Sequence, residues 1–382
     1  MKLNFKLTAI VAVIIFGCLE EYTPDLNNND ERILVVEGRI GNDITKIQLS
    51  RTTEVGYDSL ASEVKARVNI EDENENVIAV LPEVTNGVYQ DSLPLEFDRK
   101  YRVRITTSDE QEYLSEAMEI FNTPPIDSVF WEDTPNGISI NVSTHDDADN
   151  SRYYQWDFDE TYVYRVMYYS NYYFQASDTT VLRRNPEDQV YYCWQSYHNQ
   201  NIKIGSTIQF AENVVSKKSL TEITPTDNLK FSIKYSINVI QSSISEDYYN
   251  FLDLLRANSE DLGSIFGPQP SLLTSNVSSV NSDNKVIGYI SANTLEEKRI
   301  FIERLDIPYR DIPAILNTFC YDTAVVNTPE NLYEQFGQLN GLIPLDAIYG
   351  SSPIPYSYSG APPSCADCTT GGGVNIEPDF WE

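Results

Sequence analysis

Between residues 231 and 239 an apolar side chain falls on every second position: Phe231, Ile233, Tyr235, Ile237 and Val239. A repeat of two matches the alternation of side chains across a β-strand, and it presses one face of that strand against a core. Shorter runs repeat the pattern at Val64, Ala66, Val68 and Ile70, at Tyr101, Val103 and Ile105, and at Ile138, Ile140 and Val142. The stretch Ile33 to Ile40 is an apolar run, and Asn86-Gly87 is a hairpin-turn signal between Val77–Leu81 and Val88-Tyr89. Short strands separated by turns predict packed antiparallel sheets. The expected fold is mainly β, with two immunoglobulin-like β-sandwich domains, the second enlarged by insertions and one or two short helices.

The first sandwich is assigned to 31–122, ended by the stiff linker Thr123-Pro124-Pro125, and the larger β-rich domain to 126–350. A helix is predicted near 246–258. Ser245 caps it, Glu246 and Asp247 suit its positive end, and Tyr248, Phe251, Leu252 and Leu255 share one face. A second helix is predicted to start at Thr328-Pro329, with Leu332 and Phe336 inward. Residues 351–382 form a Pro-, Ser- and Gly-rich tail that carries the CxxC pair Cys365 and Cys368.

Residues 1–17 have the charged start, apolar centre and small final residue of a signal peptide. The apolar run is shorter than the roughly 20 residues that span a bilayer. Ile15-Phe16-Gly17-Cys18 resembles a bacterial lipobox, so Cys18 is the expected lipidation site. A triacylated Cys exceeds the two signals that stable anchoring needs, which makes the outer-membrane bilayer the first expected partner. Glu20 and Glu21 resemble the surface-export signal of Bacteroidota lipoproteins, and the Asn-rich stretch within 18–30 is a flexible tether. The expected location is the outer membrane, lipid-anchored and facing the exterior.

The formal charge is −30, and loss of residues 1–17 removes Lys2 and Lys6 and no acid, leaving −32. Such a charge argues against nucleic acid as a partner. Besides Cys18 there are Cys193, Cys320, Cys365 and Cys368, an even number that suggests one or two disulfides of open connectivity. Zinc is not expected, because Cys365 and Cys368 supply two ligands where a structural site wants four. Asp146, Asp147 and Asp149 are a weak calcium candidate: the loop offers three or four oxygens where calcium takes six to eight, so a solvated turn is favoured.

No nucleophile elbow, HExxH, P-loop or dinucleotide fingerprint occurs, and the two His residues, His145 and His198, sit in no catalytic motif. The expectation is a non-catalytic chain without a cofactor. Its most unusual segment runs from Tyr162 to Phe174. Tyr joins broad apolar area to a polar tip, which suits recognition surfaces. The ligand-binding candidates are therefore Tyr162, Tyr164, Tyr168, Tyr169, Tyr172, Tyr173 and Trp194. The competing explanation is an aromatic strand packed on both faces, and the residues alone leave the two open.

Several segments in order carry a family likeness: Leu34-Val35-Val36-Glu37-Gly38, Tyr235 to Ser245 through Tyr248-Tyr249-Asn250-Phe251, Gly263 to Ser271, Gly288 to Ala292, Lys298 to Ile302, and Cys365 to Trp381. Together they resemble the domain-of-unknown-function 4249 family of Bacteroidota outer-membrane lipoproteins. Gly267 and Thr369 stand where the family would lead one to expect Asp and Arg. The resemblance implies a surface partner of a TonB-dependent, SusC-type nutrient transporter, acting in ligand capture or as an accessory. The captured ligand would be a peptide, a glycan or a chelate. It brings no catalytic residues with it. The alternative is a structural or adhesive surface protein with no part in transport.

Overall fold

The computed structural model describes residues 32–53, 61–97, 99–227, 229–260, 275–308, 312–317, 319–339 and 341–381. The expected signal peptide, Cys18, Glu20, Glu21 and the expected tether lie outside the described residues, as does the segment Gly263 to Ser271.

The alternating residues form strands as expected, and the fold is mainly β. Two six-stranded sheets make the first sandwich. One is built on Leu34–Ile40, Thr45–Arg51 and Val88–Asp91, the other on Arg67–Asp72, Val77–Leu81 and Lys100–Thr106. Leu34, Val36, Ile47 and Leu49 of the first sheet meet Val68, Ile70, Val103 and Ile105 of the second in one buried core. The sandwich expected over 31–122 also takes in two strands from far along the chain. Val286–Ala292 runs parallel to Leu34–Ile40 at the edge of one sheet, and Val277–Ser279 pairs with Glu112–Ser115 at the edge of the other. An edge strand leaves a row of backbone donors and acceptors unpaired, and these late strands cover two such edges. The parallel pair demands a special residue. Gly288, opposite Val36, has φ +104°, and a Cβ placed there would lie 2.1 Å from the Val36 carbonyl oxygen.

The second sandwich packs the three strands Ile126–Thr134, Gly137–His145 and Val214–Ile223 against a five-stranded sheet. The long strand Tyr153–Arg165 and its neighbour Lys234–Ser243 lie at the centre of that sheet. Ile138, Ile140 and Val142 face Tyr154, Trp156, Phe158, Tyr235, Ile237 and Val239 across the core. The linker is held from both sides: the Thr123 hydroxyl donates to the Thr294 carbonyl at 2.7 Å and accepts from the Ser243 amide at 2.9 Å.

Both predicted helices form. Glu246–Glu260 starts where the Ser245 hydroxyl accepts the Tyr248 amide, and its Phe251 and Leu252 are buried. It bridges the sandwiches, since Tyr249 packs on Tyr153 of the second at 5.0 Å between ring centres and Tyr248 on Tyr289 of the first at 4.9 Å. Pro329–Phe336 is capped by Thr328 and buries Leu332 and Phe336. This helix belongs to a third, smaller unit that the sequence reading merged into 126–350 and the tail. In it the strands Thr323–Val326, Ser357–Ala361 and Ile343–Ile348 form a sheet, and the hairpin Tyr172–Gln175 and Thr180–Arg183 packs beside it around Val181, Val325 and Tyr358.

All four cysteines expected in disulfides are paired. Cys193 is bonded to Cys368 and Cys320 to Cys365, with sequence separations of 175 and 45. Neither bond joins the two ends of the CxxC, so each of its cysteines staples the tail to a different part of the chain.

Candidate functional site

The Tyr-rich segment does not form one platform. Tyr162 and Tyr164 are on the inward face of Tyr153–Arg165 and belong to the core of the second sandwich, which corrects their assignment as ligand contacts. Alternation explains it: they continue the even-numbered series Tyr154, Trp156 and Phe158. The Tyr164 hydroxyl donates to the Cys368 carbonyl at 2.7 Å and accepts from the Gly373 amide at 3.1 Å, so this ring holds the tail. Tyr168 packs against the cluster around Cys365. Trp194 is also accounted for within the chain. Its backbone exchanges two hydrogen bonds with Val374, and its ring meets Trp381 edge-on at 6.3 Å. Phe301 closes on the other side of Trp381 at 5.5 Å, so the tail occupies the outer face of this sheet.

What remains of the segment opens onto the third unit. Tyr169 and Tyr173 are exposed, while Tyr172 lies edge-on to Tyr358. The pairing of Val326 with Ser357 and of Ser357 with Ile348 brings the residues that flank these positions to one end of the sheet. Val326, Tyr349, Ile354 and Tyr356 are all exposed at that end, between 54 and 68 %. Single exposed apolar residues are ordinary, but several gathered at one end of a sheet are uncommon on a surface. The turn that makes it, Tyr349 to Tyr356, lies at the edge of the polar-looking tail and gave no sequence signal beyond its Tyr residues.

A groove lies elsewhere, on the flank of the second sandwich. It has a volume of about 720 Å³ and is lined by Lys203–Ser206, the loop 207–213, Val214–Ile223 and the helix Glu246–Glu260. Trp156 is in its floor, and Phe210 stands 62 % exposed on its rim. The loop is fixed by Asn213, which accepts from the hydroxyls of Tyr154 at 2.9 Å and Thr207 at 2.6 Å and donates to the Ser151 carbonyl at 2.8 Å. Lys217, Lys218 and Arg256 all line the groove, against the single lining acid Glu212. Its only sequence signal is the doublet Lys217-Lys218 in an otherwise acidic chain.

The weak calcium candidate, Asp146, Asp147 and Asp149, lies in a turn. The Asp146 carboxylate accepts the amides of Ala148 and Asn150, Asp149 is paired with Arg152 at 2.8 Å, and the Asp147 side chain is solvated. Among the described residues no group of three or more His, Cys, Asp or Glu is arranged to hold a metal ion. No helix of the described residues is long and apolar enough to cross a membrane.

Both imidazoles are held by carboxylates. His145 meets Asp127 at 2.8 Å, and His198 lies between Asp159 at 2.8 Å and Asp157 at 3.0 Å. The hydrogen bond to Asp159, reinforced by the charge of Asp157, raises the His198 pKa above its ordinary value. A raised folded-state pKa stabilises the fold below the unfolded value of about 6.5, and this contribution is lost as pH rises through the folded value. The expected NMR titration of His198 has its midpoint above about 6.5, and Asp159→Asn moves it down towards that value. A midpoint unchanged by the substitution contradicts the pairing.

The sequence profile described as "Domain of unknown function (DUF4249)" matches residues 19–299. No curated protein matches the chain. Among solved structures, the FN1–FN3 domains of chicken CNTN1 are 12% identical over 55% of this chain and 62% of that one, with a TM-score of 0.21.

Proposed function

The chain belongs to the DUF4249 family, and from that premise we propose that it is a lipid-anchored outer-membrane protein that docks, as an accessory partner, on a TonB-dependent transporter of the SusC type. The observation that carries this reading is the exposed apolar end of the third unit, made by Val326, Tyr349, Ile354 and Tyr356. Aromatic and branched side chains held outside a core are what stable interfaces bury at their centres. A signal peptide ending at Gly17, just before Cys18, and the acidic pair Glu20-Glu21 support a lipid anchor on the exterior face. A first sandwich closed by late strands that return from beyond the second suits a rigid scaffold for this end. The protein acts by binding and carries out no chemistry of its own.

Replacing Ile354 and Tyr356 together by Ser tests the surface. Both side chains are solvated, so the melting temperature stays within about 2 °C of the parent, as surface changes leave stability nearly untouched. Recovery of the transporter with the tagged protein falls by about tenfold or more, the loss typical of one or two central interface residues. Unchanged recovery removes this end from the docking account.

A further inference from the structure

We propose that the groove on the flank of the second sandwich binds a small organic anion with an aromatic or aliphatic body. The site is separate from the docking surface, and the proposal does not depend on the transporter.

Four observations converge on it. The groove has the size of ligand sites, which run from about 300 to 1,000 Å³. Its walls are pre-formed, because Asn213 locks the loop 207–213 through Tyr154, Thr207 and Ser151. Its apolar part is built from Tyr249 and the outstanding Phe210 and Val214, above a floor closed by the buried Trp156, and these offer a flat body a place to leave water.

The fourth observation is charge. In a chain of −30, three cations line this one groove. Two of them have acids beside them: Lys217 pairs with Glu132, and Arg256 with Asp253 at 2.6 Å. Lys218 has none. Its ammonium donates to the Ile204 carbonyl at 2.6 Å and lies 6.0 Å from the centre of the Trp156 ring, and among the described residues no carboxylate pairs with it. Burial lowers its pKa, and the charges of Arg256 and Lys203 lower it further. An ammonium that is partly desolvated, next to other cations and without a counter-ion gains more from an incoming anion than a solvated one does. The anionic group is therefore placed at Lys218 and Arg256, with the apolar body running along Val214 towards Phe210.

The test is isothermal titration calorimetry on the purified full-length protein with two probes of equal shape, naphthoate and its uncharged counterpart naphthalenemethanol. Naphthoate binds saturably, and naphthalenemethanol binds at least about tenfold more weakly, the share expected of one charge-assisted hydrogen bond. Lys218→Gln removes most of that difference. Arg256→Gln, on the solvated side of its helix, reduces it independently and serves if the first variant melts early. Lys100→Gln, which alters an exposed cation of the first sandwich, changes nothing. Equal binding of the two probes overturns the proposal, as does naphthoate binding that survives both groove substitutions or no saturable binding up to millimolar concentration.

Discussion

Replacing Cys193 and Cys368 together by Ser lowers the melting temperature by about 10 °C or more and frees the C-terminal tail. Cross-linking residues 175 apart constrains the unfolded chain strongly, and the chain-entropy relation puts the stabilisation at about 5 kcal/mol. For a domain of ordinary size each kcal/mol moves the midpoint by roughly 2–4 °C. The loss is larger than for Cys320 and Cys365, whose loop of 45 residues gives about 4 kcal/mol by the same relation. Packing adds to the difference. Cys193 and Cys368 are fully buried beside Tyr164, whose hydroxyl holds the Cys368 carbonyl, and the tail beyond them carries Trp381 to its seat on Trp194 and Phe301. The double variant therefore loses the near-ultraviolet dichroism of those Trp residues and is cut by protease beyond residue 368 at low enzyme dose, while Cys320–Cys365 still holds the chain before it. A variant that keeps both the midpoint and the Trp signal contradicts this account of the tail.

The second large effect is expected at Gly288. Alanine there meets the Val36 carbonyl oxygen at 2.1 Å and must also adopt φ near +104°, a region that L side chains rarely enter. Strain and overpacking of this kind cost about 2–5 kcal/mol in sum. The consequence is local. Hydrogen exchange should show Leu34–Ile40 and Val286–Ala292 losing protection together, because each supplies the other's ladder, while Lys234–Ser243 in the other sandwich keeps its own. Full protection of both strands in Gly288→Ala would show that the late strand is not what closes the first sandwich.

These two sites mark the limit of what the sequence discloses. Strands and helices were legible because their signals are local. Phe231 to Val239 alternates, Ser245 precedes an acidic first turn, and Thr328-Pro329 opens a helix with Leu332 and Phe336 on one side. Partners far apart in the chain were not legible. The parallel pairing of Leu34–Ile40 with Val286–Ala292 joins residues about 250 apart, and neither strand carries a mark of the other beyond a glycine whose conformation is visible only in three dimensions. The third unit was missed for the same reason, since its hairpin at Tyr172–Arg183 precedes its sheet by more than a hundred residues.

The candidate site divides in the same way. Period two already separates Tyr162 and Tyr164 from the solvent-facing positions once Trp156 is known to point inward, so their burial was available from the pattern. The role of Trp194 was not, because it depends on where the last residues of the tail come to rest. The cationic groove likewise assembles Lys218 and Arg256 from a strand and a helix that share no motif. An apolar surface and a groove that come from tertiary packing leave only faint traces in composition.

The most direct measurement is affinity isolation of the tagged full-length protein from detergent-solubilised outer membranes, with mass spectrometry of what accompanies it. The account predicts a TonB-dependent transporter recovered in near-equal amount, and lost with the Ile354 and Tyr356 substitutions. Recovery of the protein alone, even after crosslinking, contradicts it and leaves a structural or adhesive role on the cell surface as the better reading.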